Sequence, residues 1–150
     1  AGGLGMLCAG DIVVVTEDCK FAWTETTLGI PPAQIAPFVS QRIGLAKARR
    51  IMLTAARFTG KEAHEMGLAD FVAKDADDLK VIEADIKKGV LKCAPGANAV
   101  TKEIVLATRH LTRKEMIEFA AKGFAQRMLS DEGKEGISSF IEKRKPKWSK

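Results

Sequence analysis

The sequence predicts a mixed fold of the α/β (α+β) class. Its strand signals lie near the N-terminus and a long helical region follows. Two observations carry this. The stretch DIVVVTEDCKFAW reads as strand, turn, strand, with a β-branched run from Ile12 to Val15 and a polar EDCK turn. From about residue 32 onward, apolar residues recur at helical spacing.

The elements follow in order. The opening AGGLGMLCAGD holds three glycines in its first five residues and then an apolar run, which reads as a glycine-tight entry into a helix. PAQIAPFVSQRI is expected to be a helix with Pro31 and Pro32 in its first turn and Ile35, Phe38 and Val39 as its apolar positions. GLAKARRIMLTAA places Leu45, Ala48, Met52 and Ala55 on one face. TGKEAHEMG is a short helix with a Thr cap and a Gly stop, and LADFVAK is a short strand. Residues 77–93, 97–110 and 112–129 are amphipathic. In the last of these, Met116, Phe119, Ala120, Gly123 and Phe124 share a face. A final helix is expected over 131–144, stopped by Pro146. There is no internal repeat. The expected division is 1–31 and 32–150.

The chain has 150 residues, 46% hydrophobic and 29% charged, a globular composition with enough length for a core. No apolar run is long enough to span a bilayer. The three cysteines, Cys8, Cys19 and Cys93, are odd in number and form no CxxC pair. A disulfide framework or a zinc site is therefore not expected, and a reduced, cytoplasmic setting is. The net charge of +5 is concentrated in the tail. IEKRKPKWSK carries five basic residues and one acid, contributing +4. Such a patch suits a polyphosphate ligand, nucleic acid or an anionic membrane surface, or is simply a solvated charge run.

Few residues suggest chemistry on their own. His64 and His110 have no Ser, Cys or metal-ligand partner nearby in sequence and read as surface residues. Asp75, Asp77 and Asp78 read as a helix entry, because EF-hand spacing is absent. The opening glycines lack GxGxxG or Walker spacing. They would still let an oxyanion approach backbone N–H groups at the positive end of a helix.

Taken together, GGLGMLCAGDIVVVTEDCKFAWTETTLGIPP, RIGLAKARRIMLTAARFTGKEAHEMGLADFVA and EGISSFIEKRKPKW resemble the enoyl-CoA hydratase/isomerase (crotonase) superfamily. The resemblance runs over essentially the whole chain. It implies the C-terminal portion of a crotonase (ClpP/crotonase-like) fold: the end of a ββα spiral core in 1–31, then a helical acyl-pocket and oligomerisation region in 32–150. It also implies a preceding N-terminal segment of the same protein, which the Met-less start would reflect.

The resemblance implies residue roles as well. Gly2 matches an oxyanion-hole glycine. Glu25 in WTETTLGI matches the second of the family's two catalytic glutamates. The first falls at Gly5, so that carboxylate is absent. Phe124, Phe140 and Lys143 match positions that contact CoA, often from a neighbouring subunit. Ile35 and Phe38 would line the acyl pocket, with Gln34 and Gln41 as candidates to receive a substrate carboxylate. IPPAQIAPFVSQRIGLAKARR and CAPGANAVTKE are most similar to hydratases of branched glutaconyl-CoA thioesters, of the isohexenylglutaconyl-CoA type, in acyclic terpene degradation. The implied partners are an acyl-CoA substrate and further copies in a homotrimer or hexamer, with neither nucleic acid nor membrane. No cofactor is expected beyond the coenzyme A of the substrate. A CoA thioester hydrolase, a double-bond isomerase, or a basic binding fragment without catalysis are the alternatives.

Overall fold

The computed structural model describes residues 2–149. The residues up to Asp85 and those from Ile86 onward form two compact units, each described by itself.

The first unit begins with α1 (Gly2–Ala9), β1 (Val14–Thr16) and β2 (Lys20–Ala22), then a 3-10 turn at Glu25–Leu28. It continues through α2 (Ala36–Ile43), α3 (Leu45–Leu53), β3 (Arg57–Thr59), α4 (Gly60–Glu65) and β4 (Phe71–Ala73). The consecutive strands β1 and β2 do not pair with each other. β1 runs parallel to β4, with Val15 opposite Val72. β2 runs antiparallel to β3, with Phe21 opposite Phe58 and their rings stacked at 5.3 Å between centroids. A parallel pair needs a crossover, and here the crossover comprises β2, the 3-10 turn, α2, α3, β3 and α4. Strand β3 carries too short an apolar pattern to be read from sequence. It exists because Phe58 has Phe21 to pack on.

The core of this unit includes Trp23, Val39, Ile51 and Leu68, all at most 2% exposed. Burying an aliphatic side chain of this size stabilises by about 1.5–3 kcal/mol. Trp23 is fixed at its backbone, where its N–H donates to the Ala56 carbonyl. Its indole Nε1–H is buried without a protein acceptor. Cys8 is buried too, and burial pushes its thiol above the ordinary value while Arg42 opposes this. That makes it a packing residue, not a nucleophile.

Two boundaries and one buried face differ from expectation. Helix α2 starts at Ala36, not at the Pro31–Pro32 pair, and Pro37 is the proline in its first turn. Residues 33–35 form a turn instead, and Pro37 sits in the helix's first turn, where a missing backbone N–H costs nothing. On α3, Ala48, Ile51 and Met52 face the core, while Leu45 is 71% exposed. The last helix ends at Ile141, three residues early. The expected caps at α4 do form: Thr59 and Glu62 make a reciprocal capping box, and Gly67 follows in the left-handed region. Asp75 Oδ1 accepts the N–H groups of Asp77 and Asp78 at 2.9 Å, a helix entry as anticipated.

The second unit holds α6 (Pro95–Ala107), α7 (Arg113–Leu129) and α8 (Asp131–Ile141), while α5 (Ala76–Leu91) straddles the boundary between units. Helix α7 packs between α6 and α8. Gly123 on α7 faces Val100 and Ile104 of α6. No residue of α7 is fully buried: on its apolar stripe Met116, Ala120 and Gly123 are half-buried, while Phe119 and Phe124 are exposed. Among the described residues, no helix is long and apolar enough to cross a membrane.

Arg42 ties the first unit together. Its guanidinium donates to the carbonyls of Leu68 and Gly10 and to the Asp70 carboxylate. Asp70 in turn accepts the Val13 N–H at 2.7 Å. Arg42→Ala removes the bonds to the Leu68 and Gly10 carbonyls and leaves the Asp70 carboxylate with the Val13 N–H alone, and is expected to destabilise the unit by about 2–3 kcal/mol. The check is a lowered urea midpoint at unchanged slope. Arg42→Lys is expected to recover little, because only the planar fork reaches three acceptors at once.

Candidate active site

Helix α1 begins at Gly2, and the backbone N–H groups of a helix's first turn have no partner within the helix. Gly2 is exposed and Gly5 is buried. Three residues apart, they share one face of α1.

The Glu25 turn is built from the core outward. Trp23 plants the chain in the core, and Thr24 then opens the 3-10 turn. Glu25 is half-buried, and its Oε2 accepts the Thr24 N–H at 3.1 Å. That bond orients the carboxylate. Thr27 Oγ1 donates to the Thr24 carbonyl at 2.6 Å. Thr26 Oγ1 donates to the Met52 carbonyl at 3.0 Å, pinning the turn to α3. Gly29, at φ 75°, closes the turn in the region that costs other residues most. The Ile30 N–H then donates back to the Glu25 carbonyl at 3.2 Å. Among the described residues, no hydrogen bond joins Glu25 to α1.

Ile35 ends the same segment. It is half-buried, packs against the core cluster and lies directly on Gly5 of α1. Phe38, on α2, is 46% exposed. Gln34 and Gln41 are both exposed. The structure thus joins Ile35 to Gly5 of α1. Sequence reading missed the Ile35–Gly5 contact and the Thr26 pin. The first had one visible signal, a glycine inside an apolar helix, which often marks a close neighbour.

The other expected site residues belong to the second unit. Phe124 is 66% exposed and lines a groove of about 280 Å³ with Val100, Ile104, Met128 and Ile137. Phe140 is 84% exposed at the end of α8. Lys143 sits in the left-handed region at φ 53°. The N–H groups of Lys143 and Arg144 donate to the Phe140 and Ser139 carbonyls, closing the helix in the Schellman arrangement that usually takes glycine at this point.

The basic tail is docked. Arg144 grips the Glu135 carboxylate through two nitrogens, at 2.6 and 3.0 Å. The Lys147 N–H adds a third bond at 3.1 Å, and Trp148 Nε1 donates to the Lys92 carbonyl at 3.2 Å. His64 Nδ1 lies 3.2 Å from the Ala69 carbonyl, within its own unit. Among the described residues, no group of three or more His, Cys, Asp or Glu could hold a metal ion.

The enoyl-CoA hydratase/isomerase family profile matches residues 1–150. The chain belongs to the enoyl-CoA hydratase/isomerase family. Among solved structures, AtuE of Pseudomonas aeruginosa is 45% identical with a TM-score of 0.97, covering 99% of this chain and 58% of that one. An enoyl-CoA hydratase/isomerase from Marinobacter aquaeolei is 39% identical with a TM-score of 0.95, covering 99% and 56%. A peroxisomal Delta(3,5)-Delta(2,4)-dienoyl-CoA isomerase of Arabidopsis thaliana is 30% identical over 99% of this chain and 54% of its own length. The chain thus spans about half the length of the curated relatives it matches. The fold is that of the crotonase superfamily, as the sequence led one to expect.

The tail's docking depends on pH. Arg144's hydrogen bonds are the main reason the Glu135 carboxyl is held at about 2, with partial burial opposing them and the Lys147 N–H assisting. A free Glu titrates near 4.3. A carboxyl depressed on folding stabilises fully above its unfolded pKa, and that contribution fades as pH falls through the folded one. Tail docking is therefore expected to hold at neutral pH and to weaken from about pH 4 down to pH 2. Iodide quenching of tryptophan emission reports the release of Trp148, and Glu135→Gln should show the released signal already at neutral pH.

Proposed function

We propose that the chain carries the oxyanion donor and the proton-transfer carboxylate of an acyl-CoA hydratase. The substrate is a branched unsaturated acyl-CoA of the isohexenylglutaconyl type. The observation that supports this most is the Glu25 turn. A half-buried carboxylate is oriented by the Thr24 N–H and pinned through Thr26 to α3, at the position the family motif assigns to a catalytic glutamate.

The chemistry follows from those groups. Glu25 takes a proton from water as its oxygen bonds to the β-carbon of the conjugated thioester. The displaced electron pair moves onto the thioester oxygen as an enolate, which the Gly2 N–H stabilises. One such donor contributes about 2.7–4 kcal/mol in comparable sites. The protonated Glu25 then returns its proton to the α-carbon. One carboxylate closes the cycle, so Gly5 does not forbid hydration. A double-bond shift uses the same enolate and the same single carboxylate, and the dienoyl-CoA isomerase among the relatives favours it as the second reading. Thioester hydrolysis remains the third.

On this reading coenzyme A enters as part of the substrate and no separate cofactor is used. Phe124 and Phe140 pack on its adenine or pantetheine portion, and Lys143 meets a phosphate as a point charge. The assembly is a homotrimer or a hexamer in the cytoplasm.

Glu25→Gln keeps size and hydrogen bonding but removes basicity. Turnover on unsaturated acyl-CoAs is expected to fall roughly 10²–10⁴-fold with little change in binding. Parent-like turnover would place the catalytic group elsewhere. The product formed from a panel of branched and straight acyl-CoAs separates hydration, isomerisation and hydrolysis.

Lys143→Gln is expected to weaken acyl-CoA binding at low salt. The difference should shrink as ionic strength rises, since exposed charges are screened over about 8–10 Å. Turnover at saturation should stay near the parent's, because a remote phosphate contact favours ground and transition states alike. Isothermal titration at several salt concentrations reads this out.

A further inference from the structure

Gly5 is buried on α1 and Ile35 occupies the space beside it. A Cβ added at Gly5 would overlap Ile35 Cγ2 and would lie 2.8 Å from Ile35 Cβ. Ile35 is not free to yield. It packs against the core, its carbonyl accepts the Val39 N–H at 3.2 Å, and it caps the N-terminus of α2. Helical Cα–Cβ bonds tilt toward the N-terminus. A side chain at position 5 would therefore rise toward the first turn, where Gly2 lies on the same face. Ile35 stands in that path. It ends the segment that begins with the Glu25 turn.

We infer that Ile35, more than the glycine itself, makes this a one-carboxylate site. Its methyl groups fill the volume that any side chain at position 5 would need, leaving an aliphatic wall where a second acid would stand. The inference rests on the proposed roles of Gly2 and Glu25. With the second acid excluded, every proton in the reaction passes through Glu25. An acyl chain reaching this wall meets hydrocarbon, which suits a branched apolar substituent and disfavours an ionised one.

The test is a mutant cycle in the intact protein, read first by thermal unfolding. Gly→Ala inside a helix ordinarily stabilises. Gly5→Ala is nevertheless expected to lower Tm by several degrees, on the order of 3–10 °C, because overpacking dominates. In an Ile35→Gly background the sign should reverse, and Gly5→Ala should leave Tm unchanged or raise it. An Ile35→Ala background should relieve only part of the effect, since its own Cβ remains 2.8 Å away. Equal effects of Gly5→Ala in all backgrounds would overturn the inference.

The second readout is the pH dependence of kcat/KM. The combined Gly5→Glu/Ile35→Gly variant is expected to fold and to add a second ionisation to the acid limb, where the parent shows one. A folded combined variant with the parent's pH profile would place position 5 outside the reacting region and overturn the inference. Gly5→Asp/Ile35→Gly offers the same test with a shorter acid. Full activity of Glu25→Gln would instead sink the functional reading, while the Tm cycle would still decide whether Ile35 is the steric block.

Discussion

The guanidinium of Arg42 holds together what the rest of the first unit is built on. It reaches the residue after α1 through the Gly10 carbonyl, and the loop leading into β4 through Leu68 and Asp70. Asp70 passes the connection to the start of β1 at Val13. Arg42 itself rides on α2, so one planar cation fixes α1, α2 and the parallel β1–β4 pair relative to each other. Its side chain is only 13% exposed. A partly desolvated cation needs acceptors on every side, and here two carbonyls and a carboxylate supply them.

The Glu25 turn inherits its position from that frame. The segment from Trp23 to Ile35 has no regular strand or α-helix of its own, yet it is held at three points. Trp23 is sunk in the core, Thr26 is bonded to α3, and Ile35 is pressed onto α1. Between these anchors the carboxylate is aimed by the amide beside it. A loop fixed at both ends and the middle holds a reactive group nearly as firmly as a helix would, while leaving it accessible to solvent and ligand.

The second unit follows a different logic. Its helices pair through small residues such as Gly123, but α7 buries none of its side chains fully. Phe124, Leu129, Phe140 and Ile141 are each at least 66% exposed. The polar side is tied down by hydrogen bonds: Glu135, Arg144, Lys147 and Trp148 convert a basic tail into a docked strap. Lys143 is consequently presented from a fixed helix end, not from a loose charge run.

The sequence by itself determined the family, the order of most elements, the capped helices and the Glu25 motif. These rest on local chemistry: β-branched runs, capping boxes and glycine stops act within a few residues of one another. It did not determine that β1 would pair with β4 while β2 pairs with β3, because pairing partners are chosen by long-range packing such as Phe21 on Phe58. Nor did it determine where α2 begins: the Pro31–Pro32 pair suits a first turn, yet the helix starts at Ala36. The identity of Gly5 was visible as a missing carboxylate. Only the tertiary structure showed that Ile35, thirty residues away in sequence, occupies the space, because steric exclusion exists only once the two segments are folded against each other.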